Sequence, residues 1–519
     1  MKIDENDPRM LYDQYAQFEN LPCLLKRYSF NEKMRMSCIN SAYWILNKLS
    51  PEANGILPWV LETFVMISME AYEYSDGDFR GKNDSKFVKM VNAIWNSHDS
   101  IQKLHRSKEF SFTDMFFPAT MLKQSLSQES ISIKTYRYWT LFNNKSVPLN
   151  AKEIQESGDD PVYLRDKFIE KMGASYEDFL MLGHTIELLF GVQEQKSISV
   201  IPQKALNYLL LEKYPQAAKN LIISRKDYVR KQQAYTMGQD RPAAYVYSLS
   251  PSYQYPFVKE GTSLYFPLPH LLTQSVTSSL YYRLTEGDNS LRKILGKTIL
   301  ETYLYDLIHD SEIYDEVYPE QKYKEEHAEA YSPDVLACKD GAVLFLDSKS
   351  TVPSLGIRLW DEDAIKNNIK VTADNIKKIY KQIERFKLYN PFKTEVSEQK
   401  KDYWGVIVIL EESFIFRHFF YEEAAKLLNI ETTSKEYRWL THHIKVASLY
   451  EVERLSLTGC SIIEGCQDIN KDNPNDRPFS NFGSEDGKIK NTKYKEFEKN
   501  YKEAVINLAK NMIDRGCFS

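Results

Sequence analysis

The sequence predicts a mixed α/β fold, in which a mainly helical first half precedes a second half built around a central mixed sheet. Two observations predict it. Helical periodicity dominates the first half, and from Leu291 onward the order is helix, strand, strand, strand, helix, strand. The chain therefore divides into a helical domain (1–245), an extended connector (246–290), an αβββαβ core (291–470) and a polar loop with a C-terminal helix (471–519).

Composition and charge narrow the class of protein. The chain has 519 residues, with 43% hydrophobic and 27% charged residues, enough for several globular domains. Its net charge of −5 provides no global basic field, so any attraction to nucleic acid must come from a local patch. The six cysteines are scattered without a CxxC pair, which argues against a zinc site and for a reducing compartment. No signal peptide or membrane span is evident, so we expect a cytoplasmic protein.

The helical first half carries no chemical motif. Its helices include Trp59 to Met69, and Ser175 with Asp178 form a plausible capping box before an apolar run. Two interpretations stay open, a helical scaffold and a domain that senses or recruits a partner. The Tyr-, Ser- and Pro-rich stretch from Pro242 to Pro269 should pack on the next domain, because its aromatic side chains need burial.

An amphipathic helix from Leu291 to Ile308 opens the core. Ile294, Glu301, Leu304 and Ile308 fall on one stripe at helical spacing. A carboxylate on a core-facing stripe usually needs a partner. Glu301 is therefore either a boundary residue that reaches solvent or an acidic residue of a functional site. A first strand follows within residues 313–323.

A β-hairpin from Ser332 to Lys349 is the centre of the prediction. A strand begins at Val335, Lys339-Asp340-Gly341 forms the turn, and Ala342 to Leu346 is an apolar run typical of a buried strand.

Three polar residues lie at the ends of this hairpin, namely Asp334, Asp347 and Lys349. Residues two apart on a strand share a face, so Asp347 and Lys349 point the same way. Pairing of antiparallel strands should bring Asp334 close to Asp347. Two adjacent carboxylates repel, and a hard divalent cation such as Mg²⁺ or Mn²⁺ removes that conflict. An ammonium group beside the cation can orient a water for attack on phosphorus.

The residues Pro333-Asp334 and Asp347-Ser348-Lys349 resemble the motif of the PD-(D/E)XK nuclease superfamily, the restriction-endonuclease-like fold, over roughly the last third of the chain. The resemblance implies that Asp334 and Asp347 bind the metal, together with the Ser348 carbonyl, and that Lys349 is the catalytic lysine. It also implies a role for Glu301, because the superfamily commonly places an acidic residue on the helix before the hairpin. Other Asp/Glu-x-Lys triplets in the chain lack the flanking strands.

A helical pattern with apolar residues from Ile365 to Phe386 follows the hairpin. Its basic residues form either a solvated face or a set of phosphate contacts; the candidates are Lys377, Lys378, Lys381 and Arg385. Gln382 precedes Phe386 by four residues, a partial match to the Gln and Tyr of the RecB-like nucleases; its alternative is an exposed helix residue. Strands at Trp404–Leu410 and Ile444–Leu449 complete the core.

These residues predict a metal-dependent nuclease that hydrolyses phosphodiester bonds, with DNA as the substrate that the resemblance favours. A restriction or antiphage role follows by analogy alone. The partners expected are nucleic acid, a second copy of the chain or a protein bound by the helical domain, and no membrane. Two alternatives stay open, a non-catalytic nucleic-acid-binding module on the same fold and a structural or signalling protein.

Overall fold

The structure of the protein is a computed structural model. It describes residues 18–46, 55–73, 77–79, 84–97, 107–124, 129–145, 147–150, 154, 156, 158, 160–192, 203–236, 243–325, 328–388, 392, 402–472 and 488–517. Most of the loop predicted for 471–487 lies outside these residues.

Helices make up most of the described chain. In the first half they are α1 (Leu21–Leu25), α2 (Phe30–Leu46), α3 (Pro58–Glu70), α4 (Ser85–Trp95), α5 (Phe112–Gln124), α6 (Ile131–Phe142), α7 (Leu164–Met172), α8 (Tyr176–Val192), α9 (Gln203–Asn207), α10 (Pro215–Leu221), α11 (Arg225–Tyr235) and α12 (Ala243–Tyr247). In the second half they are α13 (Leu272–Ser275), α14 (Ser278–Thr285), α15 (Asn289–Ile294), α16 (Leu300–His309), α17 (Leu355–Arg358), α18 (Glu362–Leu388), α19 (Arg417–Leu428), α20 (Lys435–His443), α21 (Leu449–Thr458), α22 (Ile462–Asp472) and α23 (Thr492–Asp514). A π-helical segment, Leu295–Ile299, joins α15 to α16.

The described strands form three sheets. They are β1 (Ile222–Ser224), β2 (Phe257–Glu260), β3 (Ser263–Tyr265), β4 (Glu316–Pro319), β5 (Lys322–Glu325), β6 (Ala328–Tyr331), β7 (Val335–Lys339), β8 (Ala342–Lys349), β9 (Asp402–Ile409) and β10 (Ile444–Ser448). The central sheet has five strands in the order β10-β9-β8-β7-β4. A three-stranded sheet contains β1, β2 and β3, and β5 pairs with β6 as a separate ribbon. The α/β class with a central mixed sheet is thereby confirmed.

The central sheet is antiparallel on one side and parallel on the other. β4, β7 and β8 pair antiparallel, whereas β8, β9 and β10 run parallel. Each parallel connection needs a crossover, and α18 supplies it between β8 and β9. The first strand is shorter than the sequence predicts, because residues 322–325 turn away to pair with 328–331.

The turn of the central hairpin sets its register. Asp340 and Gly341 connect β7 to β8, and both have positive φ, at 50° and 77°. Two consecutive residues with positive φ make the type I′ turn, whose twist matches that of the two strands. The turn therefore pairs Val335 with Leu346, and places Asp334 opposite Asp347 at the far end.

The two faces of the sheet pack against different helices. Leu344 and Leu346 face a hydrophobic cluster that includes residues of α6, α8, α16, α21 and α23. Val343 and Phe345 face a second cluster, built mainly by α18 and α19. Alternation along β8 explains this division, since successive side chains of a strand point to opposite faces. Asp347 and Lys349 continue the series of Val343 and Phe345.

The helices of the first half share a core with the sheet. The first cluster runs without a break from α6 and α8 to the sheet and to α23. Arg137 of α6 makes two hydrogen bonds to Glu453 of α21, at 2.7 Å and 2.6 Å, and both side chains are fully buried. Tyr303 of α16 donates a third bond to Glu453, at 2.7 Å. These polar contacts lock three helices together beneath the sheet.

Residues 246–290 correct the prediction of an extended connector. They contain β2, β3, α13 and α14, and they supply the middle and edge strands of the small sheet. The expectation of aromatic burial, made for Pro242 to Pro269, agrees with the structure at Phe257 and Phe266, which are 0% and 8% exposed. Two of the prolines that suggested an extended chain, Pro251 and Pro269, instead begin short helical turns, where a missing N–H costs nothing.

Two smaller expectations about helices can be compared with the structure. Ser175 and Asp178 bond each other's backbone N–H groups, each at 3.2 Å, as a capping box requires. Among the described helices, none is both long enough and apolar enough to cross a lipid bilayer.

Candidate functional site

Two buried aspartates face each other at the open end of the central hairpin. Asp334 is 4% exposed and Asp347 is 0% exposed. The pairing of the two strands ends at Val335 and Leu346, so Asp334 and Asp347 are the next residues beyond the last pair, and the charge of Asp347 acts on Asp334. The chain thus holds two carboxyl groups close together, away from bulk water.

Ser348 holds Asp334 in place. Its backbone N–H donates to Asp334 Oδ2 at 2.6 Å, and its hydroxyl donates to the same oxygen at 2.9 Å. Two donors on one oxygen restrict the rotation of the carboxyl group. The middle residue of the Asp347-Ser348-Lys349 triplet therefore has a side-chain role that the sequence did not predict.

Two lysines contact the opposite oxygens of Asp347. The Lys349 ammonium forms an ion pair with Asp347 Oδ2 and donates to the Ser348 carbonyl at 2.9 Å. The Lys378 ammonium, which comes from α18, lies 2.9 Å from Asp347 Oδ1. The Lys378 side chain is 47% exposed, so this group connects the buried carboxylate to the surface.

The carboxyl groups of the two aspartates differ in pKa. Burial, together with the nearby charge of Asp347, raises the pKa of Asp334 to about 6. Burial acts in the same direction on Asp347, but Lys349 and Lys378 outweigh it and lower the pKa of that carboxyl. Asp347 in turn outweighs the effect of burial on Lys378 and raises its pKa. The surroundings therefore favour the charged form of Asp347 more than that of Asp334.

Glu301 lies in the first turn of α16, near this pair but not on it. Burial raises the pKa of Glu301 to about 8, with further contributions from Asp334 and Glu320. Within the described part of the chain, Glu301 makes no hydrogen bond or ion pair. Nor do any three acidic, histidine or cysteine side chains of the described residues group as a metal site would require. Glu301 thus interacts with the site through its charge and not through a hydrogen bond.

The basic residues predicted on α18 divide into one that reaches the aspartates and three that do not. Lys378 contacts Asp347, whereas Lys381 and Arg385 are exposed and Lys377 is partly exposed. The difference arises from helical spacing, since Lys378 lies on the side of α18 that faces the end of β8. No sequence pattern separated it from its neighbours.

Gln382 corrects the interpretation of an exposed helix residue. It is 7% exposed, and its Nε2 lies 3.5 Å from the Tyr331 carbonyl. A signal was available in the sequence. Ile379, Ile383 and Phe386 lie three residues before, one after and four after Gln382, so Gln382 falls on the apolar face.

The donor groups at the end of the hairpin suit a hard divalent cation. They are the carboxylates of Asp334 and Asp347 and the Ser348 carbonyl, all of them oxygen ligands. A cationic group already occupies part of this space, because the Lys349 ammonium contacts both Asp347 Oδ2 and the Ser348 carbonyl. Positive charge is therefore compatible with the position at which the sequence predicts a metal ion.

Comparison with protein-family models, with curated proteins and with solved structures finds no match to this chain. The function is therefore inferred from the residues of the motif and from their arrangement.

Proposed function

We propose that this protein is a metal-dependent nuclease of the restriction-endonuclease-like type, which hydrolyses phosphodiester bonds in DNA. The element order supports the proposal, because α16, β4, β7, β8, α18 and β9 follow one another as helix, strand, strand, strand, helix and strand. The separate β5–β6 ribbon and the short helix α17 are insertions into this order.

One observation carries the proposal. Asp334 and Asp347 are opposed at the end of the hairpin, and the lysine two residues after Asp347 lies on the same carboxylate. A scaffold has no need to bury two opposed carboxyl groups, because their repulsion costs stability. Strongly perturbed carboxyl groups beside cations are characteristic of functional sites.

The side chains divide the work of hydrolysis. Lys349 is placed to hold the attacking water by a hydrogen bond and to compensate negative charge that develops on the phosphoryl oxygens. Lys378, half exposed above Asp347, is placed to contact the same phosphate from the solvent side. Ser348 positions Asp334 through its two hydrogen bonds.

Mg²⁺ or Mn²⁺ would be held by Asp334, Asp347 and the Ser348 carbonyl. When bound, it would supply Lewis-acid stabilisation of the phosphoryl oxygens and a more acidic water. The Lys349 ammonium, now paired with Asp347, would release that carboxylate in the metal-bound state and would then be free to hold the water. Glu301 remains a candidate for an additional ligand only if α16 moves toward the aspartates.

Cleavage assays on variants of the hairpin test this proposal. Asp347→Ala and Lys349→Ala should each abolish Mg²⁺-dependent cleavage of plasmid and linear DNA, while thermal melting shows a folded protein. Asp340→Asn and Lys339→Ala, at the opposite end of the same hairpin, are matched controls and should retain activity. Retained cleavage in both site variants would refute the assignment. The same assay with RNA decides which nucleic acid is the substrate.

A non-catalytic nucleic-acid-binding module is the second candidate. The observation that favours it is the pairing of Asp347 with two lysines, which neutralises the carboxylate without any metal. This candidate predicts binding of DNA with the same affinity in Mg²⁺ and in EDTA, and no cleavage of DNA or RNA in either condition. The proposed nuclease predicts cleavage that appears only with the divalent cation.

A further inference from the structure

A large cavity lies at the carboxyl ends of the three parallel strands. Its volume is about 710 Å³, and its lining includes Pro353 after β8, Glu411 after β9 and Ser448 at the end of β10. Small-molecule sites typically enclose roughly 300–1,000 Å³. In α/β sheets, ligands bind in the crevice beyond the carboxyl ends of the strands. Position and size are thus those of a ligand site.

The cavity is separate from the site of Asp334 and Asp347. Neither aspartate lines it, and neither do Lys349, Lys378 or Glu301. Backbone hydrogen bonds fix the segment between the two sites. Leu410 donates to the Lys349 carbonyl at 2.9 Å, and Glu411 donates to the Thr351 carbonyl at 3.2 Å. The cavity therefore borders the residues that follow Lys349 without opening onto the carboxylates.

The lining combines aromatic rings with nearly balanced charge. Four tyrosines contribute to it, namely Tyr235, Tyr253, Tyr282 and Tyr450, beside five glutamates and four basic residues. A lining of this kind is too polar to bind a lipid chain and carries too many carboxylates to bind a polyanion. It suits a ligand with a flat aromatic part, hydrogen-bonding edges and a single anionic group, because tyrosine rings stack on planar heterocycles.

Several polar groups of the lining are without partners. Tyr253 OH, Gln254 Oε1 and Ser279 Oγ are buried and make no hydrogen bond with any described residue. A buried polar group without a partner costs stability, which a ligand recovers when it supplies the missing bond. Arg292 is exposed, lines the cavity, and forms no ion pair within the described ranges. An uncompensated guanidinium is suited to a phosphate group.

We propose that this cavity is a binding site for a nucleoside monophosphate. The base lies among the tyrosines, accepts hydrogen bonds from the Tyr253 and Ser279 hydroxyls and donates one to Gln254 Oε1, and the phosphate lies against Arg292. The proposal goes beyond the nuclease function and does not rest on it, because no residue of the cavity belongs to the hairpin site.

Isothermal titration calorimetry of the full chain tests the proposal with AMP, GMP, CMP and UMP, each at about 1 mM, where weak binding is still measurable. At least one nucleotide should bind. Adenosine and inorganic phosphate separate the two halves of the ligand, and each should bind more weakly than the nucleotide. Absence of binding by all four nucleotides to the folded protein would overturn the proposal.

Variants locate the binding. Arg292→Ala should weaken the affinity about tenfold or more, whereas Lys293→Ala, the exposed neighbour outside the lining, should leave it within about twofold. Tyr253→Phe removes a hydroxyl that has no partner, so the unliganded protein should melt at an unchanged or higher temperature while its affinity falls. Tyr176→Phe is the matched control, because the Tyr176 hydroxyl is likewise buried without a partner among the described residues and lies outside the cavity.

A variant of the hairpin separates the two sites. Asp347→Asn should bind the nucleotide as the unaltered protein does. Two results would overturn the assignment of this cavity. One is loss of nucleotide binding in Asp347→Asn. The other is an affinity in both Arg292→Ala and Tyr253→Phe that equals that of the unaltered protein. A failure of this test leaves the nuclease proposal untouched, since that proposal is read out by cleavage.

Discussion

Lys378 and Asp347 meet across a gap of 31 residues, with Nζ and Oδ1 2.9 Å apart. The Asp347 side chain is buried at the end of a central strand, whereas the Lys378 side chain on α18 is half exposed. The pair holds the crossover helix against the hairpin at the candidate site. It also gives Asp347 a second cation on the oxygen that Lys349 does not contact.

Lys378 is expected to contribute to the rate of cleavage. Lys378→Ala should lower kcat for DNA cleavage by about 10- to 100-fold, because one preorganised donor beside the reacting phosphate is lost. Lys378→Arg keeps the charge and should recover part of the rate. Lys377→Ala, the adjacent residue, should leave kcat unchanged. Steady-state kinetics measures all three, and a kcat within about twofold in Lys378→Ala would exclude this role.

The exposed lysines of α18 are expected to act on binding instead. In an Asp347→Asn background, replacing Lys377 and Lys381 together by alanine should reduce the slope of log affinity against log salt by about 2, since each phosphate contact contributes roughly 0.9. Replacing Lys366 and Lys370, about 16 Å away along the same helix, should leave the slope unchanged. Fluorescence anisotropy with labelled duplex DNA gives the slope, and equal slopes in both double variants would contradict the contact.

Glu301 is expected to make stability depend on pH. Its pKa rises from 4.5 to about 8 on folding, so the folded state holds a proton that the unfolded state releases. Stability of the unaltered protein should therefore fall as pH rises from 4.5 to about 8, and level off above. Glu301→Gln should remove this loss. Because Glu301 is only partly buried and solvent screens much of the effect, the gain over the unaltered protein should be about 1–2 kcal/mol above pH 8 and nothing near pH 4.

Urea unfolding in EDTA measures this difference at several pH values. Glu496→Gln, which replaces an exposed glutamate of α23, is the control and should show no pH-dependent gain. A gain for Glu301→Gln that is the same at pH 4 and above pH 8 would show that titration of Glu301 is not its cause.

The buried ion pair of Arg137 and Glu453 is expected to couple the helical half to the sheet. Arg137→Ala leaves Glu453 buried without its cation and should cost about 3–5 kcal/mol of unfolding free energy. The double variant Arg137→Met/Glu453→Leu removes both charges and should recover most of that loss. Chemical unfolding measures the free energy of unfolding of both variants. If the double variant were as unstable as Arg137→Ala, packing of the arginine would be the main contribution and not its charge.

Local patterns were sufficient for the hairpin and for the order of the elements. The Asp340-Gly341 turn, the apolar run of β8 and the strand period are short-range properties, so they predict the register that opposes Asp334 and Asp347. The buried strands β9 and β10 likewise follow from continuous apolar runs. Their order in the sheet comes from the structure, which places β9 between β8 and β10.

Contacts between distant segments were beyond these patterns. The Pro- and Tyr-rich composition of residues 246–290 predicts an extended chain. The structure instead folds them, because they pair with β1 and pack on helices that are distant in the sequence. The choice of Lys378 among the basic residues of α18, and the partnership of Arg137 with Glu453, depend on how helices dock on the sheet. Burial energies and long-range charges decide that docking.

The sequence by itself determined the hairpin, its two aspartates and the lysine beside them, because turn chemistry and strand alternation act within a few residues. Only the tertiary structure decided which second lysine reaches Asp347, that Glu301 makes no hydrogen bond to the pair, and that a cavity opens beyond the strand ends. Those features arise where helices and strands that are distant in the sequence pack together. The free energy of that packing depends on residues that no local sequence pattern connects.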